Sequence, residues 1–153
     1  MAVAGSAVSV LMEGTRSILI EIQSLVVPTK LPLPRRVVQG IDSKRLEMLL
    51  AVLYRRANIQ TFDKDVFVNV VGGIKAHDPA IDLAVCASIA SSYYNKPLPV
   101  KTVVTGEVGL LGEIRNSSFL EKRIKDAKRL GFKQVISPKD YKYLPQALKN
   151  IFK

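Results

Sequence analysis

The first 26 residues have the hydrophobic pattern of two successive β-strands. Ser6 to Met12 alternates weakly between polar and apolar residues, and Arg16 to Val26 then carries three isoleucines at every second position. Side chains two residues apart point to the same face of a strand, so the two segments predict a β-hairpin with one apolar face. Three prolines within residues 28–40 predict an extended connector there.

Apolar residues recur at helical spacing after this connector. The helices predicted from this spacing cover residues 42–57, 78–93, 119–130 and 144–152. Asp42 or Ser43 caps the first helix, and Asp78-Pro79 begins the second, since proline is favoured at the first helical position. Gly131 ends the third helix, because glycine readily adopts the left-handed conformation that follows many helices.

The remaining apolar runs are short and predict strands at residues 65–71, 100–105, 109–115 and 134–137. Strands and helices that alternate after an N-terminal hairpin are typical of an α+β fold with a mixed sheet. A length of 153 residues is that of one domain. We therefore expect residues 1–153 to form a single α+β domain.

The charge of the chain is strongly positive. It contains 23 Lys and Arg against 13 Asp and Glu, for a net charge of +10. Residues 35–56 hold six basic and two acidic residues, and residues 115–153 hold eleven basic and three acidic residues. An excess confined to two segments favours one basic face directed at a polyanion such as nucleic acid. The alternative is a solubilising charge spread over the surface.

Several classes of protein are disfavoured by what the sequence contains. A lone cysteine, Cys86, cannot form an internal disulfide, and its apolar surroundings predict a buried side chain in a protein of a reducing compartment. A lone histidine, His77, leaves too few ligands for a zinc site. The sequence has no GxxxxGK[ST] phosphate loop, no stretch long enough to span a membrane and no charged start typical of a signal peptide. We therefore expect no cofactor, metal or membrane partner.

Residues 105–138, TGEVGLLGEIRNSSFLEKRIKDAKRLGFKQVISP, resemble the closing segment of Lon-type proteases. The Gly72-Gly73 end of a strand and the Asp78-Pro79 helix start precede it in the same order as in that family. This resemblance covers about the C-terminal two-thirds of the chain. It implies the Lon-protease-like fold, which belongs to the class named after domain 2 of ribosomal protein S5.

The catalytic Ser–Lys dyad of that family is missing. By the resemblance, the nucleophilic serine corresponds to Ala80 and the lysine to Glu121, and we refer to these as the dyad positions. A methyl group and a carboxylate cannot replace a hydroxyl and an amine of lowered pKa. Lys122 lies one residue beyond the second position, about 100° around the helix. Ser117 and Ser118 precede that helix, and we interpret them as capping or surface residues.

Three further stretches, EGTRSILIEIQSLV, PRRVVQGIDSKRLEMLLAVLYRRA and GGIKAHDPAIDLAV, resemble the C-terminal domain of the bacterial RadA (Sms) family of RecA-like recombination and repair ATPases. The resemblance implies a hexameric ring that docks on the RecA-like ATPase domain of the same parent chain and engages DNA in the bacterial cytoplasm. It also implies that the chain is the C-terminal part of a longer protein. ATP, Mg²⁺ and zinc would then be bound only by the N-terminal domains.

Basic residues within the RadA-like stretches are the candidate DNA contacts: Arg16, Arg35, Arg36, Arg45, Lys75 and Arg115. Their guanidinium and ammonium groups would contact phosphates without recognising a base sequence. Two alternatives remain open at this point. The domain is a scaffold for oligomerisation that makes no DNA contact, or it retains a serine-type peptidase activity.

Overall fold

Eight β-strands and four α-helices alternate along residues 2–153, which are the residues that this computed structural model describes. The strands are β1 (Ser6–Glu13), β2 (Arg16–Pro28), β3 (Arg36–Gln39), β4 (Lys64–Val70), β5 (Thr102–Val104), β6 (Glu107–Val108), β7 (Ile114–Arg115) and β8 (Gln134–Ile136). The helices are α1 (Ser43–Ala57), α2 (Asp82–Tyr94), α3 (Leu120–Arg129) and α4 (Leu144–Ile151). Within residues 2–153, no helix combines the length and apolar character that crossing a membrane requires.

Six strands form one sheet in the order β3-β4-β2-β1-β5-β8, and β6 and β7 form a separate pair. The sheet is mixed, because β2 is antiparallel to β1 and β4 whereas β5 is parallel to β1 and β8. The predicted hairpin is confirmed, with Met12 opposite Ser17. The predicted α+β fold with a mixed sheet is therefore confirmed.

Helices cover both faces of the sheet unequally. Residues of α1, α2 and α4 share one buried cluster with Ile22 of β2, so these three helices lie on one face. A smaller cluster on the other face joins Val10 of β1 and Val103 of β5 to Ala127 of α3. The β2, β4 and β3 part of that second face carries exposed apolar side chains, with Leu25 and Val37 being 54% and 44% exposed.

Two strand predictions were wrong. Residues 28–40 were predicted to be only a connector, but β3 forms inside them and pairs in parallel with β4, Val37 lying opposite Phe67. This pairing is a tertiary event that no local pattern encodes. Of the strand predicted at residues 109–115, only Ile114–Arg115 forms as β7, and residues 109–113 are the turn between β6 and β7. Gly112 has a positive φ of 81° and donates its N–H to the carbonyl of Gly109 at 2.9 Å.

The second predicted helix begins with one turn of a different geometry. Pro79–Ile81 form a 3-10 turn, and the α-helix starts at Asp82. Every residue from Asp82 to Ser91 is buried, and the buried Cys86 thiol confirms the expectation of a small core side chain. Burial raises the pKa of the Cys86 thiol well above its ordinary value. α2 is thus the central helix of the core.

Candidate nucleic-acid interface

The turn before α2 is held by the side chain of Asp78. Its carboxylate accepts the backbone N–H of Ala80 at 3.0 Å and that of Met12 in β1 at 3.1 Å. Ala80 is fully buried, and its carbonyl accepts the N–H of Gly106 at 2.7 Å. The first dyad position therefore lies in a turn that is fastened to β1 and to the segment after β5.

Arg123 of α3 is the largest fully buried side chain of the core region around this turn. Its guanidinium donates to the carboxylate of Asp78 at 2.6 Å and to the carbonyl of Val10 at 2.8 Å. It also donates to the carbonyl of Ser118 at 2.8 Å. Arginine has five N–H donors in a planar group, so one side chain can bind all three acceptors. Arg123 thereby joins α3, β1 and the start of α2.

A second buried ion pair lies at the first residue of α2. Arg45 of α1 donates to both carboxylate oxygens of Asp82, whose side chain is only 2% exposed. The N–H of Val108 donates to the same carboxylate at 3.1 Å. Burial raises the pKa of Asp82 above its ordinary value, and the hydrogen bonds from Arg45 and Val108 oppose that shift. The hydrogen bond to Asp82 raises the pKa of Arg45.

The second dyad position lies on the surface of α3. Glu121 is exposed and forms an ion pair with Lys139. Its neighbour Lys122 pairs with Asp126 at 3.0 Å. The pKa of Asp126 is lowered by a hydrogen bond from Ser17 and by the one from Lys122. The dyad positions therefore hold a buried methyl group and an exposed carboxylate, and the adjacent ammonium is bound to Asp126.

The structure places four of the six candidate DNA contacts in internal interactions. Arg45 is bound to Asp82, as described above. Arg35 pairs with Asp65 at 3.0 Å and lies over the ring of Phe67 at 5.6 Å. Arg36 donates to the backbone carbonyls of Lys64 at 2.6 Å and Thr61 at 2.9 Å. Arg115 forms an ion pair with Glu113 at 2.8 Å and lies 3.8 Å from Glu107. Arg35 and Arg115 remain 56% exposed despite these pairs.

The six candidates do not all lie together. Arg16 begins β2, whereas Arg35 and Arg36 lie beside the start of β4, opposite the other end of β2. A strand rises by about 3.3 Å per residue, so the 13 residues of β2 separate these ends by roughly 40 Å. Arg16 and Lys75 are exposed and form no ion pair with any residue from 2 to 153.

Most of the basic side chains have no acidic partner in the part of the chain that the structure describes. Eight of the 23 form ion pairs, which leaves 15. All of these except Arg36 are exposed. The surplus of charge seen in the sequence is therefore present on the surface as cations that are free to bind an anionic ligand.

The role of Arg123 was not predicted from the sequence. The apolar stripe of α3 contains Leu120, Ile124 and Ala127, which follow at spacings of four and three. Position 123 lies three residues after Leu120 and belongs to that same face. The helical period therefore contained the signal that this arginine points inward.

Comparison with known proteins identifies the family to which the chain belongs. The family model described as subunit ChlI of Mg-chelatase matches residues 33–141 of the chain. The chain is also 51% identical over 134 residues to the DNA repair protein RadA of Haemophilus influenzae, which covers 88% of the chain and 29% of that protein. RadA of Pseudomonas aeruginosa is 50% identical over 137 residues, covering 90% of the chain and 30% of that protein.

RadA of Bacillus subtilis gives a similar result, with 47% identity over 135 residues, 88% of the chain and 30% of that protein. The chain therefore belongs to the ChlI family, and within that family it groups with a segment of the RadA DNA repair proteins. The family resemblance expected from the sequence is confirmed. The chain spans about 30% of the length of these curated relatives.

Proposed function

We propose that the chain is a non-catalytic, Lon-protease-like domain of a DNA repair protein, which assembles into a hexameric ring and binds DNA non-specifically through basic residues. In this proposal residues 1–153 form one domain of a cytoplasmic bacterial protein. The ring docks on a RecA-like ATPase domain of the same parent chain. The sequence identity to RadA DNA repair proteins supports the assignment to DNA repair.

The chemistry at the dyad positions supports the non-catalytic part of the proposal. A buried methyl group at Ala80 supplies no nucleophile, and the carboxylate of Glu121 supplies no amine to activate one. The hydroxyl of Ser117 is buried without a hydrogen-bond partner in the described chain, and that of Ser118 accepts from Arg123. We expect a covalent serine-hydrolase probe to leave the folded protein unlabelled. Labelling of any serine would contradict the non-catalytic proposal.

The observation that carries the DNA-binding proposal is the set of 15 basic side chains without an acidic partner, of which all but Arg36 are exposed. Unpaired surface cations attract a polyanion, because binding releases the counterions that are condensed on its phosphates. Among the predicted contacts we assign Arg16, Lys75 and the exposed Arg35 and Arg115 to phosphates. Arg36 and Arg45 serve mainly the fold, since their donors are bound internally.

The ring part of the proposal is supported by the uncovered face of the sheet. Leu25, Phe67 and Val37 lie opposite one another on β2, β4 and β3 and line a groove of about 760 Å³. An exposed apolar patch bordered by polar residues is typical of a protein interface. This patch also favours the alternative of a scaffold without DNA contact. In that alternative the basic charge serves only solubility.

One triple variant separates DNA binding from oligomerisation. Arg16→Gln, Lys75→Gln and Arg115→Gln together remove three exposed cations and leave both buried ion pairs intact. We expect the dependence of duplex affinity on salt to weaken, with the logarithmic slope reduced by about 3 for three lost phosphate contacts. Native mass spectrometry of the same sample reports the oligomeric state, which we expect to be unchanged.

The control is the triple variant Lys30→Gln, Lys44→Gln and Lys64→Gln, which has the same change in net charge. An equal reduction of the salt slope in both variants indicates that overall charge is responsible and contradicts the assigned contacts. Dissociated oligomers would assign these residues to the subunit interface and support the scaffold alternative. Wild-type affinity that does not depend on salt contradicts the DNA-binding proposal as a whole.

A further inference from the structure

Three helices end around one cleft at the end of α2 that lies away from Ala80, the first dyad position. Ala57 is the last residue of α1 and Tyr94 the last residue of α2, and both line a cleft of about 430 Å³ with residues of α4. We call this the helix-end cleft and define it by six of its residues: Ala57, Tyr94, Lys96, Lys149, Phe152 and Lys153. It lies at the C-terminal end of α2, about 20 Å along the helix from Asp82.

An oriented aromatic ring forms part of this cleft. Tyr94 is 42% exposed, and its ring packs edge-to-face on Phe152, with centroids 5.8 Å apart, and on Tyr93, at 5.5 Å. Burial raises the pKa of the Tyr94 hydroxyl above its ordinary value. A ring held by two neighbours loses little conformational freedom when a ligand stacks on it. Tyr94 therefore has the properties of a stacking platform.

Three exposed lysines surround this ring. Lys96, Lys149 and Lys153 have no ion-pair partner in residues 2–153, and none of the described residues that line the cleft is acidic. These lysines share the cleft with Tyr94, so cations and an aromatic ring face the same ligand volume.

The helix ends alone do not account for this charge. Each helix C-terminus carries about half a negative charge, so three ends offset roughly 1.5 of the positive charges that Lys96, Lys149 and Lys153 supply. The cleft therefore keeps a net positive potential. Two cations would be enough to neutralise the partial negative charge of the three helix ends, and the cleft contains more than two.

We propose that the helix-end cleft binds a single-stranded segment of DNA, with an unpaired base stacked on Tyr94 and the neighbouring phosphates held by Lys96, Lys149 and Lys153. Aromatic stacking combined with a basic groove is the usual means of binding single strands without sequence preference. A duplex keeps its bases paired and offers Tyr94 no free base face. This inference rests on the proposed function, because it names the strand that one part of the DNA-binding surface takes.

Two variants of the whole chain test the inference with a labelled oligothymidine and a duplex of equal length. Lys96→Gln, Lys149→Gln and Lys153→Gln together should reduce the logarithmic salt slope for oligothymidine by about 2, because single strands give about 0.7 per contact. Tyr94→Leu should weaken oligothymidine binding by about 5- to 150-fold, which is the range for one lost stacked base. It should leave duplex affinity within about twofold.

Matched controls are Tyr94→Phe, which keeps the ring, and the triple variant Lys44→Gln, Lys128→Gln and Lys133→Gln, which has the same charge change elsewhere. The inference is overturned when both lysine triples lose the same affinity, or when Tyr94→Leu weakens duplex and oligothymidine equally. Competition by polyglutamate as effective as that by unlabelled oligothymidine also overturns it, since a peptide has no base to stack. Wild-type protein that binds neither DNA contradicts the proposed function instead.

Discussion

The two ends of α2 are both surrounded by basic side chains, and they use them in opposite ways. At the N-terminal end, Arg45 and Arg123 are bound to Asp82 and Asp78 inside the fold. At the C-terminal end, Lys96, Lys149 and Lys153 are exposed and have no acidic partner in residues 2–153. The same charge thus stabilises the structure at one end and is available to a ligand at the other.

The difference follows from the helix dipole and from side-chain chemistry. A helix N-terminus carries partial positive charge, so cations are tolerated there only beside carboxylates, which Asp78 and Asp82 provide. Burial also favours arginine, whose planar group satisfies several acceptors at once. A helix C-terminus attracts cations, and lysine keeps its ammonium hydrated at the surface. A net charge of +10 therefore says little about binding until the paired cations are separated from the unpaired ones.

The largest loss of stability should come from Arg123→Leu, at the N-terminal end of α2. It leaves the Asp78 carboxylate without its cation and three acceptors without a donor, so we expect the free energy of unfolding to fall by about 3–5 kcal/mol. Urea denaturation measures this change. The control is Arg129→Leu, in which a 66% exposed side chain 3.7 Å from Asp126 is removed. A surface pair of this kind contributes about 0–1 kcal/mol. Similar losses of stability in both variants would show that burial does not make the Arg123 ion pair more important than the Arg129 ion pair.

Arg45→Met should cost about 3 kcal/mol at neutral pH, because Asp82 remains buried and charged without its partner. Removal of Arg45 raises the pKa of Asp82 further, since one of the interactions that lowers it is lost. The charged carboxylate then destabilises the fold above that pKa, and protonation relieves the penalty. The deficit relative to wild type should therefore shrink as the pH falls toward about 4, the ordinary pKa of Asp. Thermal unfolding across pH measures it.

The double variant Arg45→Met and Asp82→Asn serves as the control for this pH dependence. Asparagine has no charge to lose, and its carbonyl oxygen can still accept the N–H of Val108. Because the variant has no Asp82 carboxyl group to protonate, its stability deficit should not shrink as the pH falls from 7 to 4. A deficit in Arg45→Met that stays constant over the same range would show that the Asp82 charge is not its cause.

The lysines at the other end of α2 should matter little for stability. Lys96→Gln, Lys149→Gln and Lys153→Gln together lose favourable interactions with helix ends but also relieve mutual repulsion, so we expect a change of about 1 kcal/mol or less. Urea denaturation of the triple variant used for DNA binding gives this value. A loss as large as that of Arg123→Leu would mean that these lysines serve the fold.

The smallest effect should come from Glu121→Gln at the second dyad position. Its ion pair with Lys139 joins two exposed side chains, whose contribution is about 0–1 kcal/mol and falls with salt. Thermal unfolding at low and high salt should give nearly equal midpoints for the variant and the wild type. A large shift would mean that Glu121 has a structural role that its exposure does not explain.

The sequence predicted correctly those elements that are determined by residues close together in the chain. The hairpin follows from alternation and α1 from its Asp42 cap and leucine stripe, because these depend on residues close in sequence. β3 was missed because its partner β4 lies about 30 residues away. The candidate site was less predictable. Whether Arg35 or Arg45 is free depends on Asp65 and Asp82, which lie 30 and 37 residues further along the chain. No spacing rule links such positions.

The position of Arg123 also has a consequence for how the chain folds. Its hydrogen bond to the carbonyl of Val10 joins residues 113 apart in sequence, and that to Asp78 joins residues 45 apart. The entropic cost of closing a loop rises with its length, so we expect these contacts to form late in folding. Loss of a contact made after the transition state accelerates unfolding and leaves the folding rate almost unchanged. We therefore expect Arg123→Leu to shorten the lifetime of the native state, which the unfolding rate in urea measures.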